Sequence, residues 1–378
     1  MAAAGRGRQD GSRTGAYLRE GVRLPAVKDA AEAVTALIAA ARHHMRKEGP
    51  MVHEDDDGGT AALRADRLGR RYGRVWGRVW GLRDCTVEVP AGAIVGLIGP
   101  NGAGKTTLLE MIIGLLEPTE GEISVFGTTS RAHPAARLAR VGYLAQDHPL
   151  YRDFSVADVF HLGRAMNPSW DQKLAAERMD ALGIPLKRKV RKLSGGQRAQ
   201  VSLTMALAKR APLVVLDEPV SSLDPVARLE FMRDVMASAA DAGLTFLISS
   251  HVVSELERFC DWLIILASGH VQLAGPAGDL LAAHRLLTVP RATPDAELPG
   301  TVIHRTGSDS PSGQHSTVLV RADPVQLTVQ GRPGWQAGPV SYEQLVMAYL
   351  QLRTPLRTQD DPAPAAERPG PSTKAVTR

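Results

Sequence analysis

Nine consecutive residues constrain this chain more than anything else in it: Gly99, Pro100, Asn101, Gly102, Ala103, Gly104, Lys105, Thr106 and Thr107. They fit the pattern G-x-x-x-x-G-K-[ST]. They follow the apolar run "AIVGLIG" (93–99) and precede a stretch, Thr106 to Leu116, that reads as a helix. An unbroken apolar run suits a strand buried on both faces of a parallel sheet. A glycine-rich loop between such a strand and a helix is a phosphate cradle. Its backbone N–H groups turn inward around phosphate oxygens, and the helix N-terminus adds partial positive charge. Lys105 is placed to reach β- and γ-phosphates, and the Thr106 hydroxyl to coordinate Mg²⁺.

A second element supplies carboxylates. "PLVVLD" (212–217) is another apolar run, and it ends on Asp217-Glu218-Pro219. An acid at the end of a buried parallel strand stands at the carboxyl edge of the sheet, where ligands bind. Asp217 suits the Mg²⁺ shell. Glu218 suits a general base that polarises an attacking water. Further strands are expected at "GEISVFG" and "LTFLISS" (244–250), with helices between and a largely helical stretch from about 155 to 192. Such alternation predicts a mainly parallel α/β sheet.

Bulk properties narrow the field. The 378 residues are 44% hydrophobic and 22% charged, with a net charge of +5. The first fifty residues hold nine Lys/Arg against five Asp/Glu, so most of the excess is N-terminal. Beyond the short run Lys187-Arg188-Lys189 with Arg191-Lys192 there is no basic stripe of the kind nucleic acid requires, and no nucleic-acid partner is expected. Cys85 and Cys260 have no metal-site or disulfide spacing. The longest apolar run, Trp262 to Ala267, is strand length rather than membrane-spanning length. A soluble, cytoplasmic chain is expected unless another protein holds it at a membrane.

A third element points to a family. Leu193-Ser194-Gly195-Gly196-Gln197 opens an amphipathic helix about twenty residues before Asp217 and resembles the signature of ABC-type ATPases. Gln146 in "YLAQDHP" resembles that family's Q-loop glutamine. "SSLDP" (221–225) resembles its D-loop with Asp224, and His251 in "ISSHVVSELE" its switch histidine. The resemblance covers roughly residues 62–275. It implies a P-loop NTPase of ABC type, in which a parallel-sheet core joins an antiparallel β subdomain and an inserted helical subdomain at about 150–195. It also implies ATP and Mg²⁺ as cofactors, with Thr106, Gln146 and Asp217 at the metal. Glu218, His251, Gln146 and Lys105 would act on the terminal phosphate. In this family Ser194 and Gly196, with Asp224 nearby, would serve nucleotide bound by a second copy, so a head-to-tail dimer is expected.

The segment between Gln146 and Ser194 normally meets a membrane partner in such proteins. Its phrases "LYRDFSVADVF" and "NPSWDQ" resemble ATP-binding subunits of ABC-2 type exporters, particularly those encoded beside GntR-type regulators. The implied function is ATP hydrolysis that energises a separate permease on the inner face of the membrane, for export. The rival class is a non-transport ABC ATPase acting on ribosomes or nucleic acid. Outside the ATPase region we expect a poorly ordered extension and linker (1–60), a small α+β appendage (276–352) and a disordered tail (353–378). Within the appendage, "STVLVRA" and "VQLTVQ" read as strands and "PVSYEQLVMAYLQL" as a helix.

One feature departs from the family pattern. The tetrapeptide Gly-Arg-Val-Trp occurs twice in succession, at 73–76 and 77–80. An aromatic upstream of the P-loop stacks on adenine in ABC ATPases. Here ten positions separate Tyr72 from Leu82 (82 − 72), too many by one copy of the tetrapeptide. Tyr72 matches by neighbouring sequence and Trp76 by distance from the strand, which leaves two candidates for one stacking position.

Overall fold

The computed structural model describes residues 61–73, 79–129, 134–307, 314–322 and 333–352. Trp76, the strand expected at "VQLTVQ", and the stretches 1–60 and 353–378 lie outside the described residues.

Among the described residues the strands form three sheets. The central one has the order β10-β9-β3-β8-β7-β6. Its members are β3 (Ile94–Ile98), β6 (Val141–Leu144), β7 (Leu213–Asp217), β8 (Thr245–Ser250), β9 (Trp262–Ala267) and β10 (His270–Pro276). All its pairings are parallel except that of β10 with β9. Every residue of β7 and β8 is buried, as expected of interior strands covered on both faces. Register aligns Ile98 with Ser250 and Asp217 with Ser249. The P-loop, the Asp217-Glu218 pair and His251 therefore leave the sheet side by side at its carboxyl edge.

A second, antiparallel sheet has the order β2-β1-β4-β5, from β1 (Ala61–Tyr72), β2 (Val79–Pro90), β4 (Glu120–Val125) and β5 (Thr128–Thr129). Cys85, Val87 and Val89, alternate residues of β2, face its core. Helix α1 (Lys105–Ile112) follows the P-loop and packs Leu108, Leu109, Met111 and Ile112 into a cluster shared by both sheets. It stops at Ile112 rather than continuing to Leu116. Gly114 adopts φ 76°, and the Leu115 and Leu116 N–H groups both turn back to the Glu110 carbonyl. A positive-φ glycine just past a helix is the usual way to end one.

Helix α2 (Pro134–Ala139) precedes β6. The stretch 155–192 is two helices, α3 (Val156–Met166) and α4 (Gln172–Ala181), and a closing 3₁₀ turn. Ser155 caps α3 in a box with Asp158, and Phe154, Val159, Phe160, Met179 and Val201 form a separate small core. Helix α5 (Gly195–Ala208) then carries the chain to β7, and α6 (Pro225–Ala242) joins β7 to β8. Asp224 caps α6 by accepting the Val226 and Ala227 N–H groups, with proline in the first turn.

After α7 (Val253–Leu256), β9, β10 and α8 (Ala277–Ala282), a third sheet has the order β12-β13-β11-β14. It comprises β11 (His284–Pro290), β12 (Thr301–Gly307), β13 (His315–Arg321) and β14 (Gln336–Gly338). Helix α9 (Tyr342–Leu350) returns from it to the central sheet and places Tyr342, Leu345, Val346 and Tyr349 in one core with Leu256, Cys260 and Ile265. The sequence reading of this region found β13 and α9 but not β11 or β12.

His284 is fully buried at this junction. Its Nδ1–H donates to the Leu280 carbonyl at 2.6 Å, and Nε2 accepts the Tyr349 hydroxyl at 2.8 Å. Burial first, and Arg321 next, hold its pKa below the usual imidazole value of 6.5. The unfolded chain accepts a proton near that value and the folded chain refuses it. This contribution to stability is therefore present above about pH 6.5 and is lost as the pH falls below it. Melting temperatures taken at about pH 7.5 and about pH 5.5 are expected to differ less for His284→Gln than for the wild type. An equal difference in the two proteins would contradict this account.

Candidate functional site

The P-loop owes its shape to two close approaches. A Cβ on Gly99 would stand 2.4 Å from the Leu266 carbonyl oxygen. Gly104 has φ 106°, and a Cβ there would meet the Gly81 carbonyl oxygen at 2.5 Å. Side chains at either point would push the loop off the sheet. Lys105 then folds back over its own loop, donating to the Gly99 carbonyl at 2.7 Å and to that of Pro100 at 3.3 Å. The backbone carbonyls orient the ammonium without neutralising it.

Three side chains converge on Glu218. Its Oε1 lies 3.4 Å from the Lys105 Nζ, and both residues are nearly buried. Its Oε2 accepts the Gln146 amide at 3.1 Å and lies 3.2 Å from the His251 Nδ1. Glu218 itself adopts φ 43°, an uncommon conformation for a residue with a Cβ. The kink turns the side chain away from the strand direction and toward the loop. These groups line one cavity of about 490 Å³, together with Gly81, Asn101, Thr106, Thr107 and Ser221. That volume lies in the range of small-molecule sites.

Asp217 sits one residue deeper, with 3% exposure. Burial raises its pKa; the Glu218 charge adds to this, while a hydrogen bond from Ser249 and the Lys105 charge oppose it. Glu110, on the next turn of α1, is raised by burial and by Asp217. Tyr143 is raised in the same way by burial, Asp217 and Glu110. Among the described residues no group of three or more His, Cys, Asp or Glu could hold a metal. What the site does offer is a carboxylate, a hydroxyl (Thr106) and an amide oxygen (Gln146) beside a phosphate cradle. Hard oxygen donors of this kind, completed by phosphate oxygens, suit Mg²⁺.

The expected residues divide into two groups. Gly99, Asn101, Gly102, Ala103, Gly104, Lys105, Thr106, Thr107, Gln146, Asp217, Glu218 and His251 come together around or beneath the cavity. Ser194, Gly195, Gly196, Gln197 and Asp224 do not line it. Ser194 caps α5 in a box with Gln197, and Gly196 rests against Ala227 of α6. Within one chain, the signature helix and the P-loop are thus not parts of a single pocket.

Tyr72 lies over Gly81, where a Cβ would meet its ring at 2.5 Å, and its hydroxyl is 3.1 Å from the Thr107 Oγ1. Trp80, closing the second tetrapeptide, is covered by Arg71, whose guanidinium carbon is 4.0 Å from the ring centroid. The sequence reading missed Ser249, Ser221 and Gly81. A signal for Ser249 did exist: "LTFLISS" is apolar until two hydroxyl residues just before His251. Nothing in the sequence told which of the two faces Asp217.

A family model described as ABC transporter matches residues 82–221. An uncharacterised ABC transporter ATP-binding protein of Nostoc is 32% identical over 224 residues, 57% of this chain and 66% of its own length. This chain thus spans just under two thirds of that relative. The hemin import ATP-binding protein of Bordetella pertussis is 33% identical over 223 residues, 55% of this chain and 85% of that one. Among solved structures, cbiO1 of Clostridium perfringens, described as part of an ABC transporter complex, is 26% identical. It superposes with a TM-score of 0.52 over 59% of this chain and 92% of its own. The 33% identity to a relative covered over 85% of its length, with the family model and the superposition, places the chain in the ABC transporter ATP-binding family, with an ABC-type ATPase fold.

Proposed function

We propose that this protein binds ATP with Mg²⁺, hydrolyses it, and so energises a separate membrane permease of ABC-2 type, in the export direction. The observation that carries the reading is the convergence of Lys105, Gln146 and His251 on the Glu218 carboxylate at the mouth of the P-loop. Backbone N–H groups of the loop and the N-terminus of α1 receive the phosphates, and Lys105 lies at the β/γ end. Thr106, Gln146 and Asp217 would hold Mg²⁺, which supplies charge neutralisation at the transferring phosphoryl group. Glu218 orients the attacking water and draws its proton, and His251 contacts the terminal phosphate. Most of the catalytic effect is then positioning and charge stabilisation by fixed groups.

The separation of Ser194–Gln197 from the cavity supports completion of each site by a second copy. Two chains arranged head to tail would bring the capped N-terminus of α5 to the other's terminal phosphate. Export rests on the helical segment's likeness to ABC-2 subunits. Import is the second reading, favoured by the name of the Bordetella relative. No helix among the described residues is long and apolar enough to cross a membrane.

Phosphate release by the purified protein, followed by transport in vesicles containing the permease that co-purifies with it, tests the proposal in two stages. A protein that neither binds nor hydrolyses ATP overturns the first stage. Substrate accumulation on the same side as the ATPase overturns export in favour of import. Recovery of ribosomes with no membrane protein would instead support the rival class.

The base-stacking residue is tested separately. Tyr72→Ala and Trp76→Ala are compared by ATP affinity, and the stacking residue is expected to lose about 2- to 13-fold, as for an aromatic contact of roughly 0.5–1.5 kcal/mol. Negligible losses in both would eliminate both.

A further inference from the structure

We propose that Ser249 is a positioning residue for the metal-dependent part of nucleotide binding. The inference rests on the reading of this site as an ATP–Mg²⁺ site. Ser249 is the penultimate residue of β8, is fully buried, and stands directly opposite Asp217 in the parallel pairing with β7. Its hydroxyl donates to the Asp217 Oδ1 at 2.6 Å, the short length of a bond to a charged oxygen. The Ser249 Oγ in turn accepts the Glu218 N–H at 2.9 Å.

Each bond has a separate consequence. The first ties one carboxylate oxygen of Asp217 to the strand behind it, which fixes the orientation of the acid that would hold the metal. The second satisfies an N–H at the point where the chain departs from extended geometry, since Glu218 has φ 43°. A buried N–H at such a kink needs a partner, and Ser249 supplies it. One hydroxyl thus orients the acid expected at the metal and anchors the backbone of the expected base. It does so from a strand whose end, two residues on, delivers His251. A group that fixes the orientation of a metal ligand tunes the metal's affinity although it never touches it.

A serine that merely satisfies buried neighbours would affect stability alone, so the test needs a readout that stability does not move. ATP affinity is measured by titration with Mg²⁺ and again with EDTA, and Mn²⁺ binding in the presence of ATP is followed by electron paramagnetic resonance. The ratio of the two ATP affinities is the metal increment. Ser249→Ala is expected to reduce this increment and the Mn²⁺ affinity by about 10- to 100-fold, with the EDTA affinity unchanged. Because Ser249→Ala strands two buried polar groups, Ser249→Thr and Ser249→Val form a second comparison of matched shape. The threonine variant is expected to keep the increment and the valine variant to lose it. Retention of the increment in Ser249→Ala or Ser249→Val overturns the proposal, as does an equal loss of affinity with and without metal. A wild-type protein that shows no metal increment overturns instead the ATP–Mg²⁺ reading itself.

Discussion

Glu218→Gln is expected to lower ATP turnover by about 10²- to 10⁴-fold, the contribution usual for a positioned general base, while ATP binding persists. The amide keeps the shape of the carboxylate but cannot accept a proton from water. Binding persists because the carboxylate is the nearest counter-charge to Lys105, at 3.4 Å. Its neutralisation frees the ammonium for phosphate rather than weakening the cradle. The measurement is steady-state phosphate release beside equilibrium titration with ATP. Unchanged turnover would remove Glu218 from the role of base. Loss of binding in parallel with turnover would make its role structural. Should two copies share their sites as proposed, the same variant with ATP should also elute as a dimer in gel filtration.

Lys105→Ala carries the second large effect, and it falls on binding. The ammonium is 6% exposed and is aimed by the Gly99 and Pro100 carbonyls. Removing a hydrogen bond to a charged group costs about 1.5–3 kcal/mol, or about 10- to 150-fold in ATP affinity. The loss should be larger for ATP than for ADP, because Lys105 serves the β/γ end of the nucleotide. Lys105→Arg should not restore affinity. A planar guanidinium cannot replace a compact ammonium in a socket built from two carbonyl oxygens. Equal losses for ATP and ADP would relocate the lysine away from the terminal phosphate.

Much of the site was legible because its chemistry is written in contiguous residues. The P-loop, the Asp217-Glu218 pair and the Ser194–Gln197 segment each carry their meaning in residue type and local spacing. The apolar runs before Gly99 and Asp217 told where in a sheet each would stand. The appendage was less legible. β11 and β12 contain charged and polar residues in short, half-buried strands, and they hold their place through pairing with β13, more than their own composition reveals. The doubled tetrapeptide is a middle case. Its excess length was readable, whereas the covering of Trp80 by Arg71 and the contact of Tyr72 with Thr107 depend on how β1 and β2 pair.

By itself the sequence determined the family and singled out the P-loop, because a glycine-rich phosphate cradle at a helix terminus is a local property of the chain. The tertiary structure alone decided how those side chains meet. Only the parallel register of β3, β8 and β7 brings Lys105, His251 and Glu218 to one point. Only the pairing of Ser249 with Asp217 singles out the serine that holds the acid. It also decided what does not meet: Ser194 caps its own helix outside the cavity lining. Sequence spacing cannot encode such relations, since they are set by which strands become neighbours rather than by the distance between them along the chain.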